Sequence, residues 1–222
     1  MYIWQQAMWP NFTWDDAALS TLLAQANKEQ GRLKGKLEAM GFKTQGEALL
    51  QTLTQDVIQS SDIEGEKLSS EQVRSSIARR LGMDIAGLVP ADRNVEGIVE
   101  MMLDATQEYD SPLTDERLFN WHAALFPTGR SGMHKIIVGA WRNDSEGPMQ
   151  VVSGPIGREY VHFEAPPAQQ IPEESAQFLE WLNKPKEIDS LLASGLAHLW
   201  FVSLHHFEDG NGRIARAIAD MV

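Results

Sequence analysis

The sequence contains no cysteine. That excludes disulfides and thiolate metal sites, and it is compatible with a reducing compartment. No stretch approaches the roughly 18 apolar residues of a membrane-spanning helix. The first residues, MYIWQQAMWPNFTW, have neither a basic start nor an unbroken apolar run, so no secretion signal is legible. Positive charge is scarce: 19 Lys and Arg stand against 31 Asp and Glu, a net charge of −12. Such a surplus argues against a broad surface for nucleic acid or anionic membrane, but leaves room for a small positive pocket. No internal repeat or low-complexity tract is visible. A soluble, cytoplasmic protein is the expectation.

What is present is ordinary globular material, 43% hydrophobic and 23% charged over 222 residues. Helical periodicity dominates. Leu19, Leu22, Leu23, Ala26, Leu33, Leu37 and Met40 recur at spacings of three, four and seven, with Thr13 as the expected N-cap. A second helix opens at the capping box Thr44 to Glu47 and runs through Leu49, Leu53 and Val57. A third starts at Ser69, and others are predicted near 93–109, 114–126, 172–183 and 187–204. One β-hairpin is expected, pairing KIIVGAW with MQVVSG across the turn-rich RNDSEGP. The fold class is therefore all-α with one hairpin.

The stretch HHFEDGNGRIARAI, His205 to Ile218, concentrates the chemistry. A calcium loop fails: with Gly212 at the invariant turn, Phe207 and Ile218 fall where carboxylate ligands belong. A metal site using His198 and His205 is weak, because helix-borne ligands usually sit four apart, not seven. A phosphate cradle fits better. Gly210, Asn211 and Gly212 can turn successive N–H groups into one concavity at a helix start. Arg213 and Arg216 oppose the macrodipole there, costing about 0.3–1 kcal/mol each, unless an anion is near. Asp209 stands where a phosphate-bridging Mg²⁺ needs a carboxylate, and His205 is placed as a general base. On spacing alone, a plain inter-helix turn stays open.

HHFEDGNGRIAR resembles the signature of the Fic family, His-Pro-Phe-x-Asp/Glu-Gly-Asn-Gly-Arg-x-x-Arg, with His206 in the proline's place. The resemblance implies a Fic-type helical bundle in which the hairpin is a flap. It implies transfer of AMP from ATP to a Ser, Thr or Tyr hydroxyl of a target protein. His205 would take the hydroxyl proton, and Asp209 would hold Mg²⁺. Gly210, Asn211 and Gly212 would bind phosphate, Arg213 and Arg216 would clamp the triphosphate, and Phe207 would anchor the loop. The phosphate-transferring Doc branch carries Lys where Gly212 stands, so Gly favours nucleotidyl transfer. A phosphotransferase and a non-catalytic nucleotide-binding regulator are the alternatives.

A second motif sits at the end of the Thr44 helix. Leu53, Val57, Ser60 and Glu64 share one face, and Gly65 is a natural C′ residue. A carboxylate at that end opposes the dipole, so it needs a cation or water. SSDIEG also resembles the Fic inhibitory motif, here Ser60, Glu64 and Gly65. The resemblance implies that Glu64 pairs with Arg216 and restrains the enzyme, and in some relatives the equivalent Glu positions water for removing AMP. Val138, Gly139, Val151 and Val152 are the expected target-docking positions of the flap, through strand addition. The expected organisation is an N-terminal helical region over 1–59 and a Fic core over 60–222, with the flap near 135–154 and the active-site loop at 205–216. The 1–59 region looks like that of one bacterial Fic subgroup. Val222 ends the chain inside a helix without a cap; Fic cores normally carry further helices after this one, so the resemblance implies either a fragment or an unusually short fold. A homodimer is compatible with this reading; a membrane or nucleic-acid partner is not expected.

Overall fold

Eight α-helices carry the chain in the computed structural model, which describes residues 1–155 and 157–222. They are α1 (Asp16–Glu38), α2 (Phe42–Ile63), α3 (Ser70–Arg80), α4 (Arg93–Gln107), α5 (Asp115–Leu125), α6 (Ile171–Asn183), α7 (Ser190–Leu204) and α8 (Asn211–Met221). Two small antiparallel pairs complete it: β1 (Arg130–Ser131) with β2 (His134–Lys135), and β3 (Gln150–Ser153) with β4 (Tyr160–Glu164). None of these helices is long and apolar enough to cross a membrane. Start signals explain several boundaries. The Ser69 side chain caps α3 by accepting from Gln72 N–H, and Thr114 caps α5 by accepting from Arg117 N–H.

The chain divides into two compact units, Thr13–Val99 and a second made of Met1–Phe12 with Glu100–Val222. The expected boundary at residues 59 and 60 falls inside α2 instead. Leu50, Leu53, Val57 and Ser60 form a continuous buried stripe along that helix, which leaves no seam there. In the Thr13–Val99 unit, α2 packs on α3 through Val73, Ile77 and Ala78. Helix α2 begins at Phe42, ahead of the expected capping box, and turns Leu50 inward while Leu49 is exposed. Helix α1 is capped by Asp15 rather than Thr13 and has no buried residue. Its apolar stripe, including Leu22 and Leu33, faces outward.

In the other unit, α7 and α8 form the centre, with Phe201, Leu204, Ile214 and Ile218 fully buried. The first twelve residues, which composition marked only as lacking a signal, belong to this unit. Trp4 Nε1–H donates to Glu164 O at 2.6 Å, and the Tyr2 ring lies edge-on to Phe163 at 5.3 Å. Trp9 donates to the Glu174 carboxylate at 2.9 Å, and Trp9 and Phe12 both pack edge-on against Trp200.

The hairpin is not the one expected. MQVVSG pairs with the downstream YVHFE, and KIIVGAW forms no ladder with it. The reason lies in where the N–H groups of 136–142 go. Ile136 N–H donates to Gly129 O, Ile137 to the Glu208 carboxylate, Gly139 to His122 and Arg142 to His206 O. Gly139 also adopts φ +68°, outside the strand region. The hairpin therefore pairs Gln150–Ser153 with Tyr160–Glu164, and residues 136–142 lie outside it.

Trp9→Ala should destabilise this unit by about 2 kcal/mol, since it empties an aromatic cluster and strands the Glu174 carboxylate. Urea unfolding checks this; a midpoint equal to the parent's would show that the N-terminal segment is not part of the core.

Candidate active site

Helix α7 ends at Leu204, and His205 follows as its C-cap in the left-handed region, φ 47° and ψ 65°. It is the one non-glycine with positive φ among the described residues, a conformation that costs on the order of 1–2 kcal/mol. The turn brings His205 Nδ1 onto the Val202 carbonyl. A carbonyl only accepts, so Nδ1 carries the proton and Nε2 is left as a bare acceptor. Burial holds the imidazole below the ordinary histidine range, assisted by the nearby Arg142 charge and opposed by the Val202 bond. Phe163 of β4 lies over the ring at 6.1 Å.

The following loop is built tightly. Phe207 is fully buried and stacks on His122 at 4.1 Å. Asn211 uses both ends of its amide on Phe207: Oδ1 accepts from Phe207 N–H at 3.0 Å, and Nδ2 donates to Phe207 O at 2.7 Å. Its side chain thus braces the loop. Gly210 has φ +82°, and a Cβ there would meet the Phe126 ring at 2.8 Å, so the site demands glycine. Helix α8 begins immediately after, with the first N–H groups an α-helix leaves without intrahelical partners. Arg213 is buried with its guanidinium 5.0 Å from the Phe126 ring centre. Arg216 is half-buried on the next turn. Burial, then the Arg216 charge, holds His198 low.

Asp209 is pinned at several points. Its carboxylate accepts from Ser131 Oγ–H and from Gly210 N–H. Its carbonyl meets His122 Nε2 at 3.2 Å, while His122 Nδ1 accepts from Gly139 N–H at 3.2 Å. That pair of bonds defines a neutral Nε2–H tautomer, and burial pushes the His122 pKa down to about 4. Among the described residues there is no group of three or more His, Cys, Asp or Glu able to cage a metal. A single carboxylate beside a helix start suits Mg²⁺ in particular, which typically binds through one or two carboxylates plus substrate phosphates.

The remaining predicted positions are distributed as follows. Ser60 is buried on α2, Glu64 is its exposed C-cap, and Gly65 follows at φ +78°. Gly65 N–H to Asp62 O and Glu66 N–H to Ser61 O complete a Schellman termination. Val151 and Val152 lie on β3 at 41% and 47% exposure, while Val138 and Gly139 sit in the irregular segment held by His122. An open groove of about 650 Å³ runs between β3 and the loop, lined by His134, Lys135, Glu146, Gln150, Val152 and Glu208.

The Fic/DOC family pattern matches residues 112–222, half of the chain. A second pattern, Domain of unknown function (DUF4172), matches residues 2–83. This chain belongs to the Fic/DOC family. Among solved structures it is similar to a Fic family protein from Desulfovibrio desulfuricans G20, at 25% identity and TM-score 0.62, over 96% of this chain and 58% of that one. It is also similar to Fic-1 from C. elegans, at 21% identity and TM-score 0.59, over 92% of this chain and 58% of that one. A Fic domain containing signaling protein from Bacteroides thetaiotaomicron VPI-5482 matches at 20% identity and TM-score 0.62, over 87% and 70%. The chain thus spans 58% of the length of each of the first two. No curated protein matches it.

Sequence reasoning missed Ser131, His122, Arg142 and the aromatic N-terminus. None lies within a recognisable local motif, and each acts across more than 60 residues of chain or on a backbone atom. His206, which replaces the motif's proline, is fully buried and stacks on Phe201 at 4.4 Å. Burial, followed by the Arg142 charge, pushes its pKa down to about 3, and only the Phe201 carbonyl opposes that shift. An unfolded chain takes up this proton near pH 6.5 and the folded one does not. Stability is thus full above about pH 6.5 and falls as pH drops towards 3. His206→Phe should stabilise the fold by about 1–2 kcal/mol at pH 7 and remove about one proton from the acid slope. Thermal denaturation between pH 4 and 7 reads both, and an unchanged slope would contradict the burial argument.

Proposed function

We propose that this chain transfers AMP from ATP to a hydroxyl side chain of a target protein. The observation that carries the reading is the His205 ring, with Nδ1 anchored on Val202 O and Nε2 left to accept a proton, directly before a helix start with two arginines. The target hydroxyl gives its proton to His205 Nε2 as its oxygen bonds to the α-phosphorus, and pyrophosphate leaves as the α–β bridge breaks. The first N–H groups of α8, with Arg213 and Arg216, neutralise the charge that moves onto the leaving group. When bound, Mg²⁺ would be held by Asp209 and the nucleotide phosphates, and would neutralise charge on them. Gly212 leaves that position without the lysine of the phosphate-transferring branch.

Glu64 is the brake in this reading, and removal of AMP is its reverse activity. The target docks along β3, whose outer edge is unpaired among the described residues, with Val151 and Val152 beside the groove.

Incubation with Mg²⁺ and ATP labelled on the α-phosphate tests the proposal. Glu64→Gly should raise self-labelling at least about tenfold over the parent, whereas His205→Ala in that background should lower it on the order of 10²–10⁴-fold. Label arriving only from the γ-phosphate would identify a phosphotransferase, and equal label in all three proteins would end the reading.

A further inference from the structure

Arg142 lies 63 residues before His205 and outside every motif, yet its side chain is completely buried. Its backbone N–H donates to His206 O at 3.0 Å and its Nε–H to His205 O at 2.6 Å. One terminal nitrogen donates to the Asp144 carboxylate at 2.6 Å and the other to Pro166 O at 2.6 Å. The second Asp144 oxygen accepts from Ala168 N–H at 2.6 Å. A buried guanidinium is costly unless all its directions are occupied, and here a carboxylate and carbonyls occupy them.

The location explains the arrangement. Helix α7 ends here, so its C-terminal carbonyls carry the negative end of the dipole, and a cation is favoured. A left-handed residue at that end turns the carbonyls of His205 and His206 towards one point. Without a donor there, the strained turn would relax. Lysine cannot substitute fully, because a point ammonium lacks the fork that reaches three separate acceptors. The same fork grips Pro166 O, at the root of β4, which carries the Phe163 ring over His205.

We propose that Arg142 is a positioning residue for His205, holding the left-handed turn so that Nδ1–H stays on the Val202 carbonyl and Nε2 faces the α-phosphorus. The catalytic half of this statement rests on the adenylyl-transfer reading; the half concerning the ring does not.

The test uses the full chain with ¹⁵N-labelled histidine, comparing the parent, Arg142→Lys and Arg142→Met for the His205 tautomer. Turnover is measured in the Glu64→Gly background. The parent should show a single Nδ1–H tautomer. Arg142→Met should show both tautomers, and kcat should fall on the order of 100-fold while KM for ATP changes by less than about threefold. Arg142→Lys should fall between. Should Arg142→Met fail to fold, Asp144→Asn, which keeps an acceptor and removes the charge, should shift tautomer and kcat in the same direction by less. A folded Arg142→Met with an unchanged tautomer overturns the proposal, as does a KM that rises in step with the loss of kcat. If the Glu64→Gly protein transfers no AMP at all, the functional reading fails, and the tautomer comparison still decides the role of Arg142.

Discussion

The hydrogen bond from His205 Nδ1–H to the Val202 carbonyl is the contact on which the site depends. Imidazole has two nearly equivalent tautomers, and a general base needs one nitrogen bare. A carbonyl three residues earlier is available only because α7 stops at Leu204, leaving its last carbonyls without intrahelical partners. The helix must therefore end abruptly, and His205 must leave it through the left-handed region. Reversal by a non-glycine is strained, so the neighbouring structure has to over-determine it. Arg142, Asp144 and the segment after β4 supply that constraint from one side, and the packed loop supplies it from the other.

The loop's own rigidity comes from aromatic packing and neutral histidines, with few charges. Phe207, His122, Trp141, His206 and Phe201 form a continuous set of ring contacts beneath the active-site turn. Burial disfavours the charged form of both His122 and His206, so neither adds a cation that would further lower the proton affinity of His205. His122 does more than fill space, since its two nitrogens fix Gly139 on one side and Asp209 on the other. A protonated His122 would lose the acceptor that Gly139 requires. Neutrality here is a geometric requirement as much as an electrostatic one.

The local elements of this arrangement were legible in the sequence, and the long-range ones were not. Ser69 announced its helix because a cap is a contact over three residues. Gly65 announced the end of α2 for the same reason. The Gly-Asn-Gly turn and its arginines were readable as a helix start, and Gly210 is indeed forced by the Phe126 ring. The hairpin was misplaced because β-branched residues in KIIVGAW mimic a strand, while the decisive facts were non-local. Glu208, His122 and His206 occupy its N–H groups, and nothing within seven residues signals that. The apolar stripe of α1 had clear helical spacing, but spacing cannot say what covers a face, and in the structure none of its residues is buried and Leu22 and Leu33 are exposed. Asn211 was legible as part of a turn at a helix start, and in the structure its amide pairs with both main-chain groups of the buried Phe207, which would otherwise lack those partners.

The acidic composition constrains the site less than it first suggests. Charges separated by more than a Debye length, about 8–10 Å in physiological salt, are largely screened, so a net charge of −12 spread over the surface barely reaches a partly enclosed loop. What matters is the sign within that radius. Arg213 and Arg216 are on α8 itself, and the helix start adds positive potential. The carboxylates adjoining the loop are restrained: Glu208 accepts from Ile137 N–H, and Asp209 from Ser131 and Gly210. Both acids are aimed by main-chain or hydroxyl donors. Positive character at the loop of an acidic protein thus comes from the elements nearest it, the start of α8 and the arginines that helix carries.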